Sequence, residues 1–519
     1  MDRVNVNRRD LLRLAGGGIG AAAVGRSRAG AALAQEGTAA AGPAGDLVIG
    51  KAQEAVGLDP ALVTAASSFQ IMAPVYQQLV AFDESGQAQP ELAASWENPD
   101  DKTFVFHLRD GVTFHNGNPL TAADVKYTFD RIIDPATNSP WLSQFDPVAS
   151  IETPDDRTVR INLKQPYGPL LATLSSDYAA IVPQNAGDLQ ATMVGTGPFS
   201  LAEWTRDTQT VLKANPSYWE QGLPHLASLT YRILPDEAAR LAAIRTGEIG
   251  LTSLVSPAAV SLASRADGVQ VVTQETTDYY LLGINCKRPP LDNVKVRQAL
   301  SLAVDRKAVL DAVFFGEGSL TGPIVPTLGD WAIPVDQLPL YSRDVDQAKS
   351  LLAEANLADG FDLSILASPL YPEFINIALV LQSQLKDVGI NVTLDQVEWG
   401  TFIDRWKSRD FATFVSYNGS GNDPDRAIYP AFHTGGSVNA FQFSDPQVDQ
   451  LLDEGRTTVD PARRHEVYHQ AETLIVQGAP ALFLFTRTAY FALRDTVQGF
   501  APTATDIYLG DALKQTSVS

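Results

Sequence analysis

Hydrophobic positions along the chain switch repeatedly between a spacing of two and a spacing near 3.6, the mark of strands alternating with amphipathic helices. "DLVIGK" (46–51) reads as the first strand and 69–82 as the first helix. "TFVFHL" (103–108) alternates as a strand. "TAADVKYTFDRIID" (121–134) has helical spacing behind Thr121, whose hydroxyl suits an N-cap. "SIETPDDRTVRINLK" (150–164) places two alternating runs around Pro154-Asp155-Asp156 and predicts a hairpin. Further on, "SLTYRILP" precedes "DEAARLAAIRTGEI", and "FDLSILAS" precedes "EFINIALVLQSQLKDVG" and then "INVTLDQVE", with Gly389 stopping the helix. This alternation predicts α/β lobes with largely parallel sheets.

The length of 519 residues is ample for two or more lobes, and 45% hydrophobic with 19% charged residues is the composition of a folded protein. A formal charge of −21 argues against nucleic acid or an anionic membrane as partner. The single cysteine, Cys286, excludes an internal disulfide and a multi-cysteine metal site, and its setting in "YLLGINCKRPP" reads as a small buried residue. At the N-terminus, Arg8-Arg9 precede a glycine- and alanine-rich apolar run and an Ala32-Leu33-Ala34 cleavage pattern, resembling a twin-arginine export signal over residues 1–34. Asn7 and Leu11 depart mildly from the usual residues of that signal. Cleavage there removes six arginines and two aspartates, a net loss of four positive charges that takes −21 to −25. Residues 35–45 follow as a flexible leader, and a periplasmic location is expected.

Chemistry is sparse. His465-Glu466-Val467-Tyr468-His469 fits the H-E-x-x-H pattern of zinc proteases, on a helix begun by Asp460 and Pro461 and ended at Gly478. Val467, Ala471, Leu474 and Ile475 form its apolar arc, which puts both histidines on the opposite, solvent-facing side. Residues 473–519 hold no histidine or glutamate to serve as a third ligand. A secreted zinc hydrolase using His465 and His469 is therefore the weaker reading. "VGTGPF" (194–199) lacks the lysine of a phosphate loop.

Several stretches together resemble the dipeptide/oligopeptide-binding family of extracytoplasmic solute-binding proteins, family 5, which serve ABC importers. They are 73–132 with its "PELAASW", "LRDGVTFHNG" and "TAADV" steps, "VGTGPFSLAEW" with "NPSYWEQGLPHL", "PPLDNVKVRQALSLAVDRKAV" and "LQSQLKDVGINVTL". Arg464 and Tyr468 match the family's D-x-x-x-R-x-x-x-Y helix. Locally, Gly111 and Gly117 suit turns, and apolar residues from Val294 to Val309 recur at helical spacing. The resemblance implies two α/β lobes around a hinge, of the class II periplasmic binding type, with an extra inserted domain. Mapped here, lobe I takes 46–75, 183–280 and 483–519, the extra domain 76–182, and lobe II 281–482. "YYLLGIN" and "ALFLFTRTAYF" are the strands expected to cross between lobes.

The same resemblance locates the ligand. Peptide binders of the family hold the ligand's amino group with an aspartate where this chain has Ser420, in "YNGSGNDPD" (417–425), and Tyr417 replaces a tryptophan. Counting back from Gly389 puts Ser368 where dipeptide binders carry an arginine for the carboxylate. Both charge anchors are thus expected to be missing, and a longer peptide, a sugar or another polar solute is open beside a dipeptide. Phe69, Ser368, Trp399, Tyr417, Asn418, Ser420 and Asp423 are the candidate ligand residues, although Phe69 and Trp399 equally suit core packing and Asp423 suits a turn before Pro424. No catalytic step, metal or cofactor is implied. The expected partners are a small-molecule or oligopeptide ligand and a membrane permease, with the chain itself a monomer. An exported peptide-holding chaperone is a further alternative.

Overall fold

The computed structural model describes residues 42–83, 86–419 and 421–519. The expected export signal, most of the leader and Ser420 lie outside the described residues.

A ten-stranded sheet organises the chain. Its strands are numbered here in chain order: β1 Asp46–Lys51, β2 Phe199–Thr205, β3 Gln209–Ala214, β4 Ser228–Ile233, β5 Leu251–Leu254, β6 Val269–Ile284, β7 Phe361–Ala367, β8 Ile390–Gln396, β9 Thr413–Gly419 and β10 Ala481–Arg494. Their spatial order is β8-β7-β9-β6-β10-β5-β1-β4-β3-β2. The two longest strands, β6 and β10, run antiparallel through the centre and belong to both halves. They contain the two stretches expected to cross, and β6 begins ten residues before "YYLLGIN".

The expectation of largely parallel sheets needs correction. β7 with β8 and β9, and β1 with β4 and β5, are parallel, but every pairing that involves β3, β6 or β10 is antiparallel. β7 and β8 are joined through the helix Pro372–Leu385, whereas β1 pairs with strands far along the chain and the central ribbon comes from segments some two hundred residues apart. The first helix is also shorter than its hydrophobic pattern suggests. It spans Ala66–Met72, because Pro74 has no N–H to continue it, and Val80–Phe82 is a strand.

Local signals otherwise act as read. Thr121 caps the helix Ala122–Ile133 in a reciprocal box with Asp124. Asp236 caps Glu237–Thr246, and Gly389 takes the left-handed conformation (φ 84°) before β8. The apolar spacing over 294–309 is shared by two helices, Val294–Ala303 and Arg306–Phe314, because Asp305 caps the second. A four-stranded antiparallel sheet, Ala93–Asp100, Thr103–Leu108, Thr158–Leu163 and Val148–Asp155 in that order, lies outside the large sheet. Its Phe104, Phe106, Val159 and Ile161 share a core with Leu47 of β1 and Leu229 of β4.

The other half is buried on both faces. Tyr280, Leu282 and Ile284 point into one core and Tyr279 and Leu281 into another, which explains why this part of β6 is continuously apolar.

Candidate functional site

The ladder between β6 and β10 breaks between Glu275 and Tyr279. Residues 276–278 are spare there, and such an insertion bends a strand and re-aims its side chains. The Thr276 hydroxyl donates to the Arg487 carbonyl at 3.0 Å and accepts from the Asp278 N–H at 3.1 Å, which holds the bend. Arg487 Nη1 in turn donates to Asp278 Oδ2 at 3.4 Å. The Arg487 guanidinium lies 5.1 Å from the centre of the Tyr417 ring. Tyr417 meets Tyr280 and Tyr371 edge-on, and Tyr371 meets Trp399 edge-on at 4.9 Å. A charged pair at the bulge therefore borders an aromatic wall.

A second aromatic run belongs to the other half. Phe69 stacks on Tyr508 at 5.3 Å and tilts against Trp141, which stacks on Tyr178 at 4.3 Å. Arg426, on the helix Pro424–Phe432, reaches this run from the opposite side. Its Nη1 donates to Ser176 Oγ at 2.8 Å and to the Tyr178 hydroxyl at 2.9 Å.

Tyr508 forms a wall common to two cavities. The first, partly open to solvent, is bordered by Glu91, Asp177, Asp506, Asp511 and Lys514, with Asn422 from the far side. Lys514 is already paired, with Asp511 at 2.6 Å and Glu220 at 2.9 Å. Burial, and then Asp506 nearby, pushes the Asp177 carboxyl up to about 7. Burial, and then Asp511, pushes Glu91 up to about 8 and Asp506 to about 6. Such a surface favours cationic or N–H-rich solutes. The second cavity is bordered by Lys51, Gln70, Tyr231, Ser253 and Phe491.

The candidate residues read from the sequence divide. Tyr417 and Trp399 meet through Tyr371, and Asn418 follows Tyr417 on β9, opposite Tyr279 of β6. Trp399 also stacks on the buried Phe402, so it serves packing as well. Phe69 lies in the opposite aromatic run and is 3% exposed, with its edge against Tyr508 and Trp141. Two others have partners within the chain. Ser368 is fully buried at the end of β7, where its hydroxyl accepts from the Leu370 N–H at 3.4 Å. Asp423 accepts from Arg464 at 2.6 and 2.8 Å and from the Asp425 N–H as a helix cap. That pairing explains the spacing of Arg464 and Tyr468, since the Tyr468 hydroxyl donates to Asp425 at 3.1 Å.

The two histidines are half-exposed, on the side their helix phase suggests. His465 stacks on Trp331 at 3.5 Å, and His469 Nε2 lies 3.0 Å from the Asp330 carbonyl. The segment Pro326–Trp331 thus shields them in part, a tertiary contact that periodicity within 461–478 does not contain. The helix Pro461–Gly478 ends in a left-handed residue, Ala479 (φ 47°), and Gly478 packs directly against the Phe443 ring. Among the described residues no three histidine, cysteine, aspartate or glutamate side chains are grouped to hold a metal.

Sequence reasoning missed Asp278, Arg426, Arg487, Asp177, Asp506 and Tyr508. One signal was present: Arg487 is the sole charge between Ala481 and Leu493, in an otherwise apolar strand. The rest depend on contacts between distant segments.

Comparison with known proteins agrees with this architecture. The family profile of bacterial extracellular solute-binding proteins, family 5 (middle region), matches residues 87–439. A probable di/tripeptide-binding protein of Pseudomonas aeruginosa is 32% identical, over 82% of this chain and 86% of its own. The dipeptide-binding protein of Escherichia coli is 29% identical, over 86% and 90% respectively. Among solved structures, the binding protein AgaA of A. tumefaciens R10, in complex with agropinic acid, is 30% identical. It superposes with a TM-score of 0.76 over 92% of this chain and 99% of its own. The chain belongs to the bacterial extracellular solute-binding proteins of family 5.

Proposed function

We propose that this chain is the exported binding component of an ABC importer, closing two lobes on a polar, peptide-like solute and presenting the closed form to a membrane permease. The observation that carries the reading is Arg426, which joins the two sides of the cleft through Ser176 and Tyr178 next to cavities bordered by charged and aromatic groups. Closure of this kind is a hinge motion, and the bulge at 276–278 is where a ribbon common to both lobes can bend. Lobe I comprises 46–75, 183–280 and 483–519, the extra domain 76–182, and lobe II 281–482. Export follows the twin-arginine route, with residues 1–34 removed, and the chain acts as a monomer.

The ligand differs from a simply held dipeptide. Ser368 is buried and Asp423 is engaged by Arg464, so neither meets a ligand terminus. Glu91, Asp177, Asp506 and Asp511 favour a solute with a cationic or N–H-rich end. Relatives are named for dipeptides, di/tripeptides and agropinic acid, and a peptide or peptide-like conjugate lies within that range. A thermal-shift screen of di- to pentapeptides, oligosaccharides and opine-like conjugates tests the reading. A bound solute at 100 times its Kd adds about 2.7 kcal/mol and raises Tm. A flat response across the whole panel contradicts capture of such solutes.

A further inference from the structure

Lys51, at the carboxyl end of β1, is 6% exposed, and among the described residues no carboxylate lies within ion-pair distance of it. Its ammonium carries three N–H groups, and its one hydrogen bond among the described residues goes to a neutral acceptor, Gln70 Oε1, at 2.7 Å. The charge that acts on it is Glu54, whose oxygens are committed to the Ala55 N–H at 2.7 Å, Trp204 Nε1 at 3.2 Å and the Asp207 N–H at 2.9 Å. A buried ammonium so poorly compensated is costly to the fold unless something else completes it. Burial pushes it down to about 8, so the charge is retained at neutral pH at the fold's expense.

The second cavity explains what completes it. Lys51 borders that space together with Tyr231, whose side chain is 3% exposed and whose hydroxyl has no hydrogen-bond partner among the described residues. Both groups present donors. The cavity lies against the sheet, bordered by the last residues of β1 and the two that follow it, by Tyr231 of β4 and by Leu251 and Ser253 of β5. Through Tyr508 it adjoins the acidic cavity.

We propose that the cavity bordered by Lys51 and Tyr231 receives a carboxylate of the captured solute, with the Lys51 ammonium and the Tyr231 hydroxyl donating to its oxygens. This inference rests on the solute-capture reading above and supplies the cationic anchor that Ser368 does not provide. A solute with its acidic group at Lys51 and its basic group toward Asp177 and Asp506 spans both cavities past Tyr508.

The test uses the full chain and calorimetric titration with alanine di- to pentapeptides, each as the free acid and as the C-terminal carboxamide, plus glutarate and acetate. Lys51→Met keeps the volume and removes a buried charge, so it is expected to fold; Lys51→Arg retains a cation as a second variant. The expected result is a free acid bound at least tenfold more tightly than its carboxamide by the native chain and by Lys51→Arg, with that preference lost in Lys51→Met. Acid and carboxamide bound equally by the native chain overturn the anchor and leave solute capture standing. Discrimination that survives in Lys51→Met also overturns the anchor. Glutarate or acetate binding that disappears in Lys51→Met, with every peptide silent, keeps the anchor and removes the peptide-like reading. Silence of all probes overturns both.

Discussion

Arg426 Nη1 donates to the Tyr178 hydroxyl at 2.9 Å, across a sequence separation of 248 residues, and so ties the helix Pro424–Phe432 to the aromatic run of the opposite half. The same nitrogen holds Ser176 Oγ. Charge-assisted bonds of this kind contribute about 1.5–3 kcal/mol when formed away from water. Arg426→Ala is therefore expected to shift the unliganded chain toward an open form and to weaken solute binding about tenfold or more, read by calorimetry. An unchanged affinity removes Arg426 from the closing contact.

Arg464 and Asp423 form a bidentate ion pair with both side chains almost fully buried. Removing one partner strands a buried charge, at a cost of about 3–5 kcal/mol. Arg464→Ala is expected to lower the urea midpoint accordingly, whereas Arg463→Ala, whose pairs with Glu454 and Glu466 are at the surface, costs under about 1 kcal/mol. A small effect of Arg464→Ala contradicts a structural role for Asp423 and returns it to the ligand site.

The carboxyls of the first cavity give a pH dependence of definite sign. Asp506, Asp177 and Glu91 are raised to about 6, 7 and 8, first by burial and then by a neighbouring carboxylate, Asp511 for Asp506 and Glu91 and Asp506 for Asp177. Between ordinary carboxylate values and these, the native chain holds protons that the unfolded chain has released, so stability falls as pH rises from about 4.5 to 8. Lys51, depressed to about 8, acts above that window and with the opposite slope. Thermal melts of the unliganded chain from pH 5 to pH 8 should show the fall, and Glu91→Gln should flatten it. A melting temperature that rises over this range in the native chain refutes the assignment.

Cys286 is 9% exposed, its Sγ lies 3.7 Å from the Ile284 carbonyl, and burial raises the thiol to about 11. A thiolate population this small, in a covered site, predicts no reaction with a disulfide reagent in the native chain and one equivalent after unfolding. Rapid native labelling would show that the segment around Cys286 opens.

Much of this fold was legible because its signals are local. The strand Asp46–Lys51, the Thr121–Asp124 cap and the Asp460 cap each rest on residues a few positions apart. What escaped depends on pairing between distant segments. The bulge at 276–278 exists only because β10 lies beside β6, and the stacking of His465 on Trp331 joins residues 134 positions apart. The site was legible in part. Tyr417 and Trp399 border the aromatic wall, but Ser368 was reached by counting along the chain, which does not reveal that the end of β7 turns its side chain inward. Lys51 reads in sequence as an ordinary strand end, and its meaning comes from the cavity beside it.

Small-angle X-ray scattering measures closure on a solute directly. The full chain is measured alone and saturated with whichever peptide or conjugate gives the largest thermal shift. Closure predicts a smaller radius of gyration on saturation, and a loss of that contraction in Arg426→Ala. Binding of many unrelated peptides with no change in radius contradicts capture by lobe closure and supports a peptide-holding chaperone instead.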